Sequence, residues 1–256
     1  MKRLLKLVLF CFTLTLIIFW YIGYFGGPVF IYLPATAEPA PQHHGFVAVV
    51  LSGDAGFKFG MAGSIATRLQ SDGVPVIGVN SLSYFRVKRT ADDATHLIAD
   101  AINNATQFSG AEKVLLVGQS YGADMLQVGL ARLPEHLRAK IRLVALVVPG
   151  ETVEFRATPG EVLSFNVPEV SALPTAIKLD WTSVLCVQGE LEKASLCPHL
   201  ISPNIKQIVM PGGHALGFDV AGVHRHILDA VDLLNPIITK SLGDAHAPAM
   251  PHLIRR

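Results

Sequence analysis

A serine between two glycines is the feature of this sequence with the clearest chemical meaning. Gly118-Gln119-Ser120-Tyr121-Gly122 follows the apolar run Val114–Val117 and precedes a helical pattern. The two glycines permit a tight strand–turn–helix bend that lifts a serine hydroxyl above a sheet. The same bend places the Tyr121 backbone N–H at a helix N-terminus, where it can donate to an oxyanion. The pattern predicts that Ser120 is a catalytic nucleophile; a helix-capping serine is the alternative.

A serine nucleophile needs a histidine base and an acid that orients the base, in the chain order serine, acid, histidine. His214 follows Pro211-Gly212-Gly213 on a glycine-rich loop after the strand pattern Ile205–Met210. The base is expected on such a loop after the last strand. The other nine histidines lie in the expected linker or tail or have no comparable position. His214 is therefore the predicted base, and an ordinary loop histidine is the alternative.

The acid is expected directly after the preceding strand. Residues 184–189 end in a glycine and are followed by Glu190-Leu191-Glu192. Spacing favours Glu192, three residues after Gly189, and leaves Glu190 as the competitor. Either glutamate has the alternative of being a solvated loop charge.

A second oxyanion donor is expected in the loop after the first strand of the domain. That loop contains Gly53-Asp54-Ala55-Gly56, whose glycines let the backbone approach a reacting centre. The predicted donor is the Asp54 N–H, with that of Ala55 beside it. A phosphate-binding loop is the alternative, but the full glycine-rich nucleotide motifs are absent from the sequence.

The rest of the chain supplies the elements that must position these residues. Short apolar, β-branched runs alternate with amphipathic stretches, as in a mostly parallel, doubly wound sheet. This predicts an α/β fold of the α/β-hydrolase type over 46–240, with an insertion at 149–180 and a flexible tail at 241–256. The predicted strands span 46–51, 74–79, 113–117, 141–148, 181–188 and 205–210; the predicted helices span 61–71, 90–108 (with Thr90 as N-cap), 121–133 and 220–234.

The N-terminus predicts a membrane-targeting segment. Lys2, Arg3 and Lys6 precede a stretch without a charged side chain from residue 7 to residue 37. Such a stretch is long enough to cross a bilayer as a helix, and its basic flank favours export of the residues beyond it. Pro34–Ala37 offers a small-residue cleavage site. Residues 1–37 are therefore expected to be a removed signal peptide or an uncleaved anchor, and 38–45 a linker.

Composition excludes other classes of protein. The chain has 21 Lys+Arg against 20 Asp+Glu, and half of its residues are apolar. The near-neutral balance argues against a general nucleic-acid binder, and the apolar content argues against disorder. In an exported chain Cys186 and Cys197 are predicted to form a disulfide, with two buried thiols as the alternative. Serine–histidine–acid chemistry requires neither cofactor nor metal, and none is expected.

Several segments of the chain together have the pattern of a known family. They are residues 52–56, 73–78, 80–85, 88–90, 118–124, 188–190, 197–198 and 212–214. These segments resemble the VirJ/AcvB family of bacterial virulence proteins. The resemblance covers about residues 46–234, and the family usually has tryptophan where this chain has Phe57 and often a second histidine where it has Ala215. It implies a periplasmic α/β-hydrolase associated with type IV secretion and with hydrolysis of lysyl-phosphatidylglycerol, an aminoacylated membrane lipid.

The implied substrate carries an ester carbonyl, an ammonium group and a phosphate. Asp54 or Asp124 is expected to meet the ammonium, and Arg86, Lys88 or Arg89 the phosphate or an anionic membrane surface. Solvated loop charges and first-turn carboxylates are equally compatible alternatives. The membrane and secretion components are the expected partners. A non-catalytic periplasmic adaptor and a generic esterase or lipase remain open as functions.

Overall fold

The computed structural model describes residues 1–157 and 170–234. The strands in this part of the chain are β1 (Phe30–Leu33), β2 (Phe46–Leu51), β3 (Val76–Val79), β4 (Lys113–Gln119), β5 (Ile141–Val147), β6 (Thr152–Val153), β7 (Val170–Ser171), β8 (Val184–Gly189) and β9 (Ile205–Met210). Seven of them form a central sheet with the strand order β1-β3-β2-β4-β5-β8-β9. All neighbouring pairs of this sheet are parallel except β1 with β3.

Helices cover both faces of the sheet. The helices in the described residues are α1 (Lys2–Tyr21), α2 (Ala62–Ser71), α3 (Ser81–Phe85), α4 (Ala91–Ser109), α5 (Tyr121–Leu130), α6 (Glu135–Arg138), α7 (Leu173–Ala176) and α8 (Val220–Leu233). Alternate residues of β2 point to opposite sides of the sheet. Val47 and Val49 join the apolar core beneath α4 and α5, whereas Ala48 and Val50 join the core beneath α2 and α8. The predicted α/β class is therefore confirmed.

Helix α4 begins where its sequence predicts. The Thr90 hydroxyl accepts the N–H of Asp93 at 3.1 Å, and the Asp93 carboxylate accepts the N–H of Thr90 at 2.9 Å. This reciprocal pair satisfies two N–H groups that a helix start leaves without intrahelical partners. The Thr90 hydroxyl also donates to the Asp93 carboxylate at 2.8 Å, and this bond, followed by the one from the Thr90 N–H, holds the pKa of Asp93 below its ordinary value.

The first 45 residues contain a helix, an edge strand and a short turn. The apolar stretch forms a helix only as far as Tyr21, and Phe30–Leu33 is an edge strand of the sheet. The expected linker contains a short 3-10 turn at Pro41–His43, in which His43 is buried and Nε2 lies 2.8 Å from Asp232 Oδ1. Gly26, Gly27 and Pro28 lie in the connection between this helix and the strand.

The strand order creates a crevice at the carboxyl edge of the sheet. From β2 the chain moves to β3 on one side, whereas β4 lies on the other side of β2. The loops that follow β2 and β4 therefore diverge, and ligand sites of open α/β sheets lie at such a switch point. The expected tail at 241–256 and the middle of the expected insertion at 149–180 lie outside the described residues.

Candidate active site

Ser120 lies on a strained turn between β4 and α5. Its backbone has φ 53° and ψ −126°, in a region that residues other than glycine rarely adopt. The flanking glycines are required by close backbone approach. A Cβ on Gly122 would lie 2.5 Å from the carbonyl oxygen of Ser52, and one on Gly118 would lie 2.6 Å from Ala123 Cα. The turn has the geometry of a nucleophile elbow, which presents the hydroxyl at the carboxyl edge.

His214 lies directly against this serine. Ser120 Oγ and His214 Nε2 are 2.7 Å apart, although the residues are 94 positions apart in the chain. His214 follows β9, and its loop is closed by the Leu216 N–H, which donates to the Gly213 carbonyl at 2.8 Å. The His214 side chain is 52% exposed, so a substrate can reach the serine–histidine pair from solvent.

Glu192 completes the chain of hydrogen bonds. Its Oε1 lies 2.5 Å from His214 Nδ1, and its Oε2 accepts the Gly189 N–H at 3.3 Å. The Glu192 side chain is 7% exposed, whereas Glu190 is exposed to solvent. A buried carboxylate on Nδ1 fixes the tautomer in which Nε2 is free of hydrogen and can accept the serine proton.

Backbone hydrogen bonds explain why position 192 rather than 190 reaches the histidine. The Glu190 N–H donates to the Met210 carbonyl at 2.9 Å and the Leu191 N–H to the Gly212 carbonyl at 3.0 Å. These bonds extend the parallel pairing of β8 and β9 past the strand ends. The chain then turns, with the Glu192 N–H donating to the Gly189 carbonyl at 3.1 Å. The acid loop and the histidine loop are thereby fixed to each other.

A disulfide closes the segment that carries Glu192. Cys186 and Cys197 are joined, with Cα atoms 5.6 Å apart and a sequence separation of 11 residues. Both cysteines are fully buried. The bond links the middle of β8 to a short 3-10 turn at Cys197–His199, so that it braces the loop between them.

The loop after β2 lies beside the nucleophile. A Cβ on Gly53 would lie 3.4 Å from Ser120 Cβ, and the Ser52 hydroxyl accepts the Ser81 N–H at 3.1 Å. Asp54 is buried, and burial raises the pKa of its carboxyl above the ordinary value. The Asp54 and Ala55 N–H groups act in the opposite direction and lower that pKa. The loop expected to supply the second oxyanion donor therefore lies next to Ser120.

The other residues expected to bind substrate have different surroundings. Asp124 is buried in the first turn of α5, and its Oδ1 accepts the Gly150 N–H at 2.8 Å. This places it as a brace between the serine turn and the end of β5 rather than as an open carboxylate, because Gly150 already uses its oxygen. No local pattern around Asp124 signals this partner. Arg86 is half-buried against Gly26, and Lys88 is exposed.

The described residues contain no group of three histidine, cysteine or acidic side chains that could hold a metal ion. Ser120, His214 and Glu192 are joined in the arrangement that nucleophilic catalysis by serine requires.

Solved structures place this fold among the α/β hydrolases. Naproxen esterase (carboxylesterase NP) from Bacillus subtilis is 16% identical, with a TM-score of 0.52 over 78% of this chain and 86% of its own. Proline iminopeptidase from Mycobacterium smegmatis is 15% identical, with a TM-score of 0.51 over 80% of this chain and 95% of its own. An α/β serine hydrolase homologue from Coxiella burnetii is 12% identical, with a TM-score of 0.53 over 78% of this chain and 89% of its own. These likenesses establish the fold, which hosts more than one chemistry.

The family is established by sequence. A family model described as bacterial virulence protein (VirJ) matches residues 45–234 of the 256. This chain therefore belongs to the VirJ family of bacterial virulence proteins, as its sequence segments predict. No curated protein matches the chain.

Proposed function

We propose that this protein is a serine ester hydrolase that uses Ser120, His214 and Glu192. The observation that carries the proposal is the unbroken chain of hydrogen bonds, 2.7 Å from serine to histidine and 2.5 Å from histidine to glutamate. A non-catalytic adaptor has no need of this arrangement on a strained serine turn, which favours an enzyme over the adaptor function.

The geometry supports a two-step acyl transfer. Ser120 Oγ attacks the ester carbonyl carbon while its proton passes to His214 Nε2, and Glu192 stabilises the imidazolium that results. The tetrahedral intermediate expels the alcohol oxygen, which takes the proton from His214 and leaves an acyl ester on Ser120. Water then attacks that ester, with His214 again as base, and releases the acid and the free serine.

The oxyanion of each intermediate needs donors beside Ser120. The Tyr121 N–H, at the first position of α5, is suited to this role by the helix start. The Asp54 and Ala55 N–H groups, in the loop that lies beside Ser120, are the other candidate donors.

We further infer that the substrate is the aminoacyl ester of a phospholipid such as lysyl-phosphatidylglycerol. Asp54 supports this, because its Oδ2 is buried and has no hydrogen-bond partner among the described residues. A cationic ammonium group beside the carbonyl would provide that partner. Arg86 and Lys88 follow β3 and supply positive charge for the lipid phosphate. The family and the N-terminal helix favour a periplasmic site of action, and secretion components are further candidate partners.

The test is hydrolysis by the purified full chain. Lysyl-phosphatidylglycerol in detergent micelles should release lysine, and Ser120→Ala should abolish the release while leaving the melting temperature near that of the wild type. A simple aryl ester is the second substrate. Hydrolysis of the aryl ester alone would support a generic esterase, and hydrolysis of neither by a folded protein would favour the adaptor.

A further inference from the structure

The segment after α1 is built into the hydrolase domain. Ile22 is 6% exposed and belongs to the core beneath α4 and α5. The Ser83 hydroxyl donates to the Gly23 carbonyl at 3.1 Å, and the Asn80 N–H donates to the Val29 carbonyl at 2.8 Å. A Cβ on Gly56, in the loop beside the nucleophile, would lie 2.7 Å from the Ile22 carbonyl oxygen. The end of the apolar helix therefore packs on the loop that borders the active site.

The residues before the expected cleavage site are also part of the sheet. Phe30–Leu33 pairs with Val76–Val79 along its whole length. The Gln70 side chain donates to the Pro34 carbonyl at 2.7 Å, and the Thr36 N–H donates to the Gln70 carbonyl at 3.1 Å. Cleavage after residue 37 would remove this strand and expose the edge of β3. It would also leave the backbone groups of β3, and the Asn80 N–H, without their present hydrogen-bond partners.

We propose that the mature protein keeps residues 1–37, and that α1 is a membrane anchor which holds the active-site edge of the sheet against the bilayer surface. Among the described residues, α1 is the one helix long and apolar enough to cross a membrane. Its 20 residues would span about 30 Å, the thickness of the hydrocarbon core.

Aromatic residues mark where α1 would leave the membrane. Trp20 and Tyr21 lie at the end of the helix and are exposed. Tryptophan and tyrosine are the residues that are enriched at membrane–water interfaces. Tyr21 packs edge-on against Phe59 with ring centroids 6.0 Å apart, and Lys58 Nζ lies 4.1 Å from the centre of the Tyr21 ring. Lys58 and Phe59 lie in the loop after β2, so the end of α1 contacts the loop that borders the active site.

A row of exposed apolar side chains continues from this point along the same edge. Phe59, Val87, Leu191 and Phe218 follow β2, β3, β8 and β9, whose carboxyl ends share one edge because these strands are parallel. Leu191 is 70% exposed and Phe218 71% exposed, on the two loops that carry Glu192 and His214. Exposed apolar groups on four loops of one edge fit the interfacial region of a bilayer.

Charge on this edge fits anionic lipid in particular. Lys58, Lys88 and Lys193 are exposed on the loops after β2, β3 and β8. The Arg86 guanidinium lies against Gly26, directly after the anchor helix. Basic groups beside a membrane boundary are attracted to acidic headgroups. A groove of about 350 Å³ between the helix end and this edge is lined mainly by apolar residues, among them Tyr21, Ile31 and Phe57.

The first test is the N-terminus of the protein isolated from cells. The full chain with a C-terminal tag is expressed in an exporting bacterium, extracted from membranes and analysed by intact mass and N-terminal peptides. The proposal predicts that residues 2–37 are present and that the protein stays with the membrane after an alkaline wash. A mature chain that begins at Glu38 would overturn it.

The second test measures depth in the bilayer. The parent chain carries Cys11→Ala and Ser120→Ala, and single cysteines then replace Phe59, Leu191 or Phe218. Each variant is labelled at its new cysteine with an environment-sensitive fluorophore. It is reconstituted into phosphatidylglycerol–phosphatidylethanolamine vesicles whose acyl chains are brominated. The matched control is Ile201→Cys, because Ile201 is 90% exposed but precedes β9 and therefore lies at the opposite edge of the sheet.

The expected result is quenching and a blue shift at positions 59, 191 and 218, with neither at 201. Quenching at 59 alone, or equal signals at 218 and 201, would overturn the orientation. Each variant is first shown to melt like the parent chain. Because the nucleophile is absent throughout, this result stands apart from the proposed hydrolysis: a failure here leaves Ser120 chemistry untouched, and an inactive enzyme leaves the orientation untouched.

Discussion

Glu192 Oε1 and His214 Nδ1 lie 2.5 Å apart on two loops that backbone hydrogen bonds tie together. Glu190, two residues earlier, is exposed to solvent. We expect Glu192→Gln to lower kcat for an ester on the order of 10³- to 10⁴-fold, because the amide does not stabilise the imidazolium or select the tautomer. Glu190→Gln is the matched control and should change kcat little. A larger loss from the change at position 190 would reverse the assignment of the acid.

The disulfide should support both stability and catalysis. Its ring closes over a separation of 11 residues and encloses Glu192. We expect the double change Cys186→Ala, Cys197→Ala to lower the free energy of unfolding by about 3 kcal/mol, from the chain entropy of a ring of this size. It should also lower kcat, since the acid loop loses its brace. Cys11→Ala is the control, and equal denaturation midpoints for the two variants would refute the structural role.

Asp54 should make stability depend on pH. Burial raises its pKa above the ordinary 3.8 in the folded protein. Its contribution to stability is therefore fully present below pH 3.8 and is lost as pH rises through the folded-state value. We expect Asp54→Asn to melt higher than the wild type at neutral pH, with the difference shrinking in acid. Asp100→Asn, at an exposed position on α4, is the control. Thermal melts across pH that show a constant difference would contradict this.

The two glycines near the site should respond differently to alanine. A methyl group at Gly122 would meet the backbone carbonyls of Ser52 and Leu51, which cannot move without shifting β2. We expect Gly122→Ala to lower the melting temperature and to abolish ester hydrolysis. A Cβ at Gly213 meets nothing within 4 Å, so Gly213→Ala should fold normally. If both variants melt like the wild type, the close approach at the serine turn is not required.

Sequence was most informative where a local pattern decides the structure. The glycines around Ser120 specify a strand–turn–helix bend, and Thr90 and Asp93 specify a helix start within four residues. The placement of Glu192 and His214 was predictable because parallel strands bring their following loops to one edge. Their roles in catalysis stay a prediction that the geometry supports.

Pairing across distant parts of the chain was not predictable. Nothing near His43 reveals that Asp232, 189 residues away, accepts a bond from it. Asp124 was expected as one candidate to meet the substrate, but its carboxylate accepts the Gly150 N–H. Gly150 is 26 residues away, so no local sequence pattern predicts this contact. The strand at Phe30–Leu33 was hidden because its apolar residues continue the run of a membrane helix. In each case the observed contact or strand depends on tertiary packing, which the neighbouring residues in the sequence do not specify.

The central claim, that Ser120 is an activated nucleophile, is tested most directly by covalent labelling. The purified full chain is treated with a fluorophosphonate, which bonds to a serine oxygen and loses fluoride only when that serine is activated. Intact mass and peptide mapping should show one label, on the peptide that contains Ser120. His214→Ala should slow the labelling severely, and Ser120→Ala should prevent it. A folded wild-type chain that takes up no label, or takes it up on another serine, would contradict the account.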